Sequence, residues 1–259
     1  MLRHVIAPDG VPIACEVGGA GPPLVLVHGA GSARWGFDAL RPWLEQAFAV
    51  IAIDRRGRGD SGDGAGDYEL AADFEDAAAV VRDAGKDALL FGHSYGALVA
   101  AGAATLLPGL PKLALYEPPM GGVLADAAWI AWFEERLENA AREQAVRRFL
   151  RDVGGYTDAE MDQMKQTRAW AGRLAVAPTV PRELRAERAL ALASLELERL
   201  ALPCLIFVGS ESPGWAHRST AAFAAALPRA TVRTVEGHGH GGTVSAAELV
   251  ADELSAFFS

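Results

Sequence analysis

Apolar residues along this chain form short continuous runs that alternate with longer stretches of helical spacing. Asp9 and Gly10 lie between two β-type runs, which predicts an opening hairpin. The run at residues 24–27 is apolar throughout, as is typical of a parallel strand covered on both faces. Further strands are predicted at residues 48–53, 88–91, 113–116, 202–208 and 231–235, and helices at residues 35–46, 70–83, 96–107, 216–227 and 246–258. This alternation predicts a mostly parallel sheet with helices on its faces.

The alternation stops between residues 118 and 200. Helical spacing continues there without a convincing strand, at residues 125–150, 158–171 and 182–197. We therefore predict an α/β core made of residues 1–117 and 201–259, with a helical cap inserted at residues 118–200.

Composition narrows the class of protein. Hydrophobic residues make up 51% of the chain and charged residues 22%, which is enough apolar material for a folded core. The formal charge of −9 opposes binding to nucleic acid or to an anionic membrane. We find no signal peptide and no run near the ~18 apolar residues of a membrane span. With Cys15 and Cys204 expected as buried free thiols, we predict a cytoplasmic protein that binds a small molecule.

A catalytic motif follows the strand predicted at residues 88–91. Gly92-His93-Ser94-Tyr95-Gly96 stands between that strand and the next helix. In such a strand-to-helix elbow the serine is held in a strained conformation with its Oγ exposed at the carboxyl edge of the sheet. Glycines are needed on either side because side chains would collide there. This context predicts that Ser94 is a nucleophile.

A serine nucleophile needs a base, and histidine suits that role at neutral pH. Four of the six histidines are expected to serve packing, solvation or loop support: His4, His28, His93 and His217. His238 and His240 remain, in a glycine-rich loop after the last predicted strand. Either imidazole can reach Ser94 from there.

Acyl transfer also requires two N–H donors at the developing oxyanion. One is expected from the amide of Tyr95, directly after the nucleophile, and the other from Ala30 in the loop His28-Gly29-Ala30-Gly31. This loop is not a phosphate-binding cradle, because no Gly-Lys-Ser/Thr follows it.

Together these segments resemble the α/β-hydrolase superfamily over nearly the whole chain outside residues 118–200. The resemblance includes the loop at 28–31, the turn at 54–61, the elbow at 92–96 and Gly239-His240-Gly241. It implies an eight-stranded, mostly parallel sheet with a helical cap, His240 rather than His238 as the base, and neither a metal nor an organic cofactor.

The acid of the triad departs from the family pattern. Most relatives have Gly-x-x-Asp after the penultimate strand, whereas this chain has Gly209-Ser210-Glu211-Ser212. Two carboxylates are candidates: Glu211, one position early, and Glu117, after the strand predicted at residues 113–116. Some family members, including certain dehalogenases, place the acid after that earlier strand, so Glu117 is favoured.

Serine directs the expected chemistry to acyl transfer, because haloalkane and epoxide hydrolysis use an aspartate nucleophile. We predict a serine hydrolase that cleaves a small ester or a related acyl compound through an acyl-enzyme. Lactonase, carbon–carbon bond hydrolase and cofactor-free perhydrolase activities use the same triad, and a non-catalytic ligand-binding protein on this fold is the alternative. His28, Trp129, Trp132 and Phe133 are predicted to line the pocket, although such an aromatic stripe also suits core packing.

Overall fold

One eight-stranded sheet forms the centre of the computed structural model, which describes all 259 residues. The strands are β1 (Leu2–Ile6), β2 (Pro12–Gly18), β3 (Pro23–Val27), β4 (Ala49–Ile53), β5 (Leu89–His93), β6 (Leu113–Tyr116), β7 (Cys204–Gly209) and β8 (Ala230–Val235). Their order across the sheet is β1-β2-β4-β3-β5-β6-β7-β8. Only the β1–β2 and β2–β4 pairs are antiparallel. The predicted fold is confirmed.

Eleven α-helices accompany the sheet. They are α1 (Arg41–Leu44), α2 (Leu70–Ala84), α3 (Tyr95–Thr105), α4 (Ala127–Glu138), α5 (Arg142–Asp152), α6 (Asp158–Met164), α7 (Arg168–Val176), α8 (Val180–Ala189), α9 (Gly214–Ala226), α10 (Gly242–Ser245) and α11 (Ala247–Phe258). Strand side chains alternate between two apolar layers, with Val25 and Val27 in the larger and Leu24 and Leu26 in the smaller. Both faces of the sheet are therefore covered, which explains its continuously apolar strands.

Helix α3 is buried along almost its whole length. Its sequence is mainly alanine and glycine, and these small residues let the helix lie close against the sheet and α2. A helix that is apolar on all sides is expected only in such a fully enclosed position. Because α3 is fixed from every side, its first turn is a rigid support for the residue before it, Ser94.

The helical segment between β6 and β7, residues 118–200, is called the cap segment below. It contains α4 to α8 and short 3-10 helices, and no strand. The helix predicted at residues 125–150 is two helices, because α4 ends at Glu138 and Ala140 adopts a positive φ of 56°. Likewise α6 and α7 replace the single helix predicted at residues 158–171. The division into core and cap domains stays a prediction.

The helix predicted at residues 35–46 is also absent. A 3-10 helix at Arg34–Phe37 and the single-turn helix α1 take its place. Pro42 lacks an amide hydrogen and is accommodated only in the first turn of a helix, so it favours a new start at this point. The Arg34 amide bonds to the Asp54 carboxylate at 2.9 Å instead of to a preceding turn.

A buried ionic cluster joins the cap segment to the turn after β4. Arg55 donates to Asp73 at 2.7 Å and also to Glu183 of α8. Arg58 Nη2 lies 2.5 Å from the same Glu183 oxygen, and all four side chains are buried. Since a buried charge is costly without its partner, this cluster fixes α8 against the core.

Both cysteines are free and buried, as predicted. Cys15 lies in β2 and Cys204 in β7. No helix of the chain combines the length and the apolar character that a bilayer crossing requires.

Candidate active site

The elbow predicted at residues 92–96 is present between β5 and α3. Ser94 has φ 56° and ψ −128°, a conformation that is unfavourable for any residue with a side chain. A Cβ on Gly92 would collide with the backbone of Gly96, and one on Gly96 would collide with the carbonyl oxygen of Val27. The two glycines therefore permit the sharp turn that holds Ser94 at the carboxyl edge of the sheet.

His240 lies in the loop after β8 and is almost fully buried. Its Nδ1 is 2.5 Å from Oε2 of Glu117, so the ring proton on that side points to the carboxylate. Nε2 has no protein partner, and neither has the hydroxyl of Ser94. Both side chains line one cavity without a direct hydrogen bond between them. Catalytic hydrogen bonds are often long before substrate binds.

Glu117 follows β6 directly, with a positive φ of 49°. Its Oε1 accepts from the amide of Gly209 at 2.7 Å and from the hydroxyl of Ser212. Burial alone would raise the pKa of Glu117, but the hydrogen bonds from His240, Ser212 and Gly209 hold that pKa below its usual value. The carboxylate is thus kept ionised beside the imidazole.

The structure brings Glu117, and not Glu211, to His240. Glu211 is exposed, and its side chain makes no hydrogen bond to the imidazole. Ser212 occupies the position at which the family pattern has aspartate. Its hydroxyl donates to Glu117, the carboxylate at the end of the neighbouring strand β6. The sequence missed this role of Ser212, although its place in the Gly-x-x-Asp pattern was a usable signal.

Two further rings hold His240 in place. Nε2 of His93 is 2.8 Å from the carbonyl oxygen of His240, and the two ring centres are 4.9 Å apart. Burial and the neighbouring charge of His240 lower the pKa of His93 to about 3. His93 is therefore neutral and donates through Nε2, since a carbonyl only accepts. Trp215 packs with its ring at 70° to that of His240, at 5.1 Å between centres.

The amides proposed for the oxyanion donate to no protein acceptor. Ala30 lines the cavity beside Ser94, and Tyr95 opens α3, where the first amides of a helix have no partner within the helix. A Cβ on Gly29 would come within 2.9 Å of Cβ of Ser94, so the loop approaches the elbow closely. These amides are available to a negatively charged oxygen between them.

His28 lines the same cavity, but its ring is already fully bonded. Nδ1 lies 2.9 Å from the carbonyl oxygen of Gly29, and Nε2 accepts from the amide of Arg55 at 3.0 Å. Burial, together with the charges of Arg55 and Arg58, lowers the pKa of His28 well below its usual value. Its neutral ring supports the loop that carries Ala30.

The aromatic stripe of α4 does not reach the cavity. Trp129 and Phe133 stack at 5.4 Å between ring centres, and Arg136 and Arg148 cover Trp132. The prediction that Trp129, Trp132 and Phe133 line the pocket is wrong, because these rings pack within the cap segment behind the wall of the cavity. That wall is formed instead by residues of α5 and the following turn, Phe149, Leu150, Val153 and Tyr156.

The cavity has two parts. Ser94 and His240 line an inner chamber of about 50 Å³. An outer groove of about 740 Å³ opens from it between the cap segment and the core. His240, Tyr156 and Arg173 line both parts. Since a 150 Å³ cavity holds benzene, the chamber accommodates only a group of a few atoms.

The carboxyl edge of this mostly parallel sheet thus carries a strained serine, a buried carboxylate–imidazole pair and two free amides. The chain belongs to the alpha/beta hydrolase family, whose model matches residues 24–253. A solved alpha/beta hydrolase from Sphaerobacter thermophilus is similar to it, with 33% identity, a TM-score of 0.83, and coverage of 99% of this chain and 100% of that one.

Curated relatives match a shorter stretch. A pimeloyl-[acyl-carrier protein] methyl ester esterase from Methylococcus capsulatus is 38% identical over 97 residues, which are 36% of this chain and 35% of that protein. A 2-(acetamidomethylene)succinate hydrolase from Mesorhizobium japonicum is 36% identical over 95 residues, 36% of this chain and 34% of that protein. The match thus spans about a third of each relative.

Proposed function

We propose that this chain is a serine hydrolase that cleaves a small ester through an acyl-enzyme. The observation that carries the proposal is the 2.5 Å contact between Nδ1 of His240 and Glu117, in a ring whose Nε2 is free and lines the chamber of Ser94. A carboxylate on Nδ1 fixes the tautomer in which Nε2 accepts a proton. Curated relatives named as an esterase and a hydrolase support the same class of reaction.

In the first half-reaction, the Oγ of Ser94 attacks the carbonyl carbon while its proton passes to Nε2 of His240. The amides of Ala30 and Tyr95 hold the oxyanion of the tetrahedral intermediate. His240 then donates the proton to the leaving alkoxide, and the acyl group remains on Ser94. Glu117 stabilises the imidazolium throughout.

In the second half-reaction, water attacks the acyl-enzyme with His240 as the base. The new tetrahedral intermediate collapses when His240 returns the proton to Oγ, releasing the carboxylic acid. Every group for both halves comes from the elbow, the loop at 28–31, the loop after β8 and the carboxyl end of β6.

The alternative is a protein that only binds a ligand, and its main support is that the triad acid is displaced from the position usual in the family. Glu117 makes the contact to His240 that such a protein would not require, so catalysis is favoured. The narrow inner chamber favours a short acyl or alcohol group over an aromatic one.

Hydrolysis of p-nitrophenyl acetate and of short-chain methyl esters tests the proposal. We expect turnover by the wild type and a loss of at least about 10³-fold for Ser94→Ala and His240→Ala. Ser194→Ala, an exposed serine of the cap segment, is the matched control and should retain wild-type rates. A folded wild type that is inactive on all these esters would favour the ligand-binding alternative.

A further inference from the structure

Arg173 of α7 lies where the inner chamber meets the outer groove, and it lines both. Its Nη1 donates to the carbonyl oxygen of Gly31 at 3.1 Å, directly beside the oxyanion loop. Its Nε points to the sulfur of Met164 at 3.2 Å, and the guanidinium packs over the ring of Trp35 at 5.3 Å. The side chain is thus held in one orientation by three neighbours, none of which is charged.

No carboxylate of the protein pairs with Arg173. Every other arginine that is not exposed to solvent has an aspartate or glutamate partner: Arg3, Arg34, Arg41, Arg55, Arg56, Arg58, Arg136, Arg147, Arg148 and Arg182. Burial lowers the pKa of Arg173, but an arginine still keeps its charge at neutral pH. A partly buried cation without an anion is costly, so this position is suited to an anionic ligand.

The acidic residues of the outer groove do not supply that anion. Asp38 pairs with Arg168 at 2.9 Å. Glu160 is bound by the amide and the hydroxyl of Thr157 at the start of α6. Glu211 is exposed and makes no contact with Arg173.

We propose that Arg173 binds a carboxylate of the substrate, so that this enzyme selects esters carrying a carboxylate on the part that lies in the outer groove. This inference rests on the proposed function. A guanidinium has five N–H donors, of which the contacts to Gly31 and Met164 use two, which leaves three. Three donors on a planar fork suffice for a two-oxygen contact with a carboxylate.

The two parts of the cavity determine where each of the two substituents of the scissile carbonyl lies. When the scissile carbonyl lies at Ser94, the chamber of about 50 Å³ holds one short substituent. The other substituent must extend past Arg173 into the groove of about 740 Å³. The substrate is therefore small on one side of the ester bond and carries its carboxylate a few bonds away on the other.

Two matched ester pairs test this inference. One pair is O-acetyl-lactate and its neutral amide, and the other is monomethyl succinate and methyl butyrate. For the wild type we expect kcat/KM to favour the carboxylate in at least one pair by about 10- to 100-fold, the range for a hydrogen-bonded charge. Arg173→Gln should bring that ratio close to one, and Arg173→Lys should retain part of it.

Arg142→Gln is the matched control. Arg142 is an exposed arginine of the cap segment that also lacks a carboxylate partner and lies outside both cavities, so its variant should keep the wild-type ratio. Succinate should inhibit the wild type competitively and Arg173→Gln much more weakly. Equal inhibition of the wild type by inorganic phosphate would overturn the specificity for a carboxylate.

The inference and the proposed function fail in different ways. A wild type that labels with a fluorophosphonate at Ser94 but hydrolyses both members of each pair equally overturns the role of Arg173 alone. So does an Arg173→Gln protein that keeps the wild-type ratio. A wild type that neither labels nor hydrolyses any ester overturns the proposed function itself.

Discussion

Replacement of Glu117 by glutamine should invert the tautomer of His240 while leaving the fold intact. The Gly209 amide and the Ser212 hydroxyl both donate to Oε1, so the amide oxygen of the new side chain must take that position. Its NH2 group then faces Nδ1 of His240 at the present Oε2 position. A donor there forces Nδ1 to accept, which places the ring proton on Nε2, where the proton of Ser94 has to go.

The expected loss follows from this inversion. Catalysis with the wrong tautomer, and without a carboxylate to stabilise the imidazolium, is typically about 10³- to 10⁴-fold slower. This corresponds to about 4–5.5 kcal/mol of transition-state stabilisation. The loss should appear in kcat for p-nitrophenyl acetate, because the groups that bind substrate are untouched.

Glu211→Gln is the control, since this exposed carboxylate makes no contact with His240. It should stay within about threefold of the wild type, because this exposed side chain of the outer groove makes no hydrogen bond to Ser94 or His240. Circular dichroism should show that both variants are folded. If Glu117→Gln kept more than a tenth of the wild-type kcat, or if both variants lost activity equally, the assignment of Glu117 would be refuted.

Two further predictions concern stability. Glu183→Gln should lower the free energy of unfolding in urea by about 3–5 kcal/mol, because it leaves the buried Arg58 without an anion. The control is Glu134→Gln, which removes the exposed ion pair with Arg185 and should lower the free energy of unfolding by less than about 1 kcal/mol. Equal losses of stability in the two variants would contradict the role of the buried cluster. Burial raises the pKa of Glu187 to about 7, so its ionisation destabilises the fold as pH rises from the unfolded value of 4.5 through 7. Glu187→Gln should therefore raise the free energy of unfolding by up to about 3 kcal/mol at pH 8 and by little at pH 4.5, and a gain that is the same at both pH values would argue against this cause.

The strands and the elbow were predictable because their signals are local. A buried parallel strand is apolar on both faces, so residues 113–116 stand out from their neighbours without any knowledge of tertiary structure, and they coincide with β6. The glycines of the elbow are fixed by backbone contacts within a few residues of Ser94 or with the adjacent strand. Such constraints leave a clear pattern in the sequence.

The features that could not be predicted from the sequence depend on contacts between residues that are far apart in the chain. Glu117 and Glu211 were both plausible, and the choice follows from bonds to residues more than ninety positions away, Gly209 and Ser212. The aromatic residues of α4 have the spacing of a buried helix face. That spacing does not distinguish a face that lines a cavity from one that packs against other side chains. Arg173 resembles any polar residue of a short helix, because the lack of a counter-ion is a property of its surroundings only.

The proposed reaction depends first of all on Ser94 being an activated nucleophile. The most direct measurement is the intact mass of the wild type and of Ser94→Ala after exposure to a fluorophosphonate, which resembles the tetrahedral acyl-transfer state. We expect a single adduct on the wild type, located at Ser94, and none on the variant. A folded wild type without an adduct, or an equal adduct on Ser94→Ala, would contradict the proposed reaction.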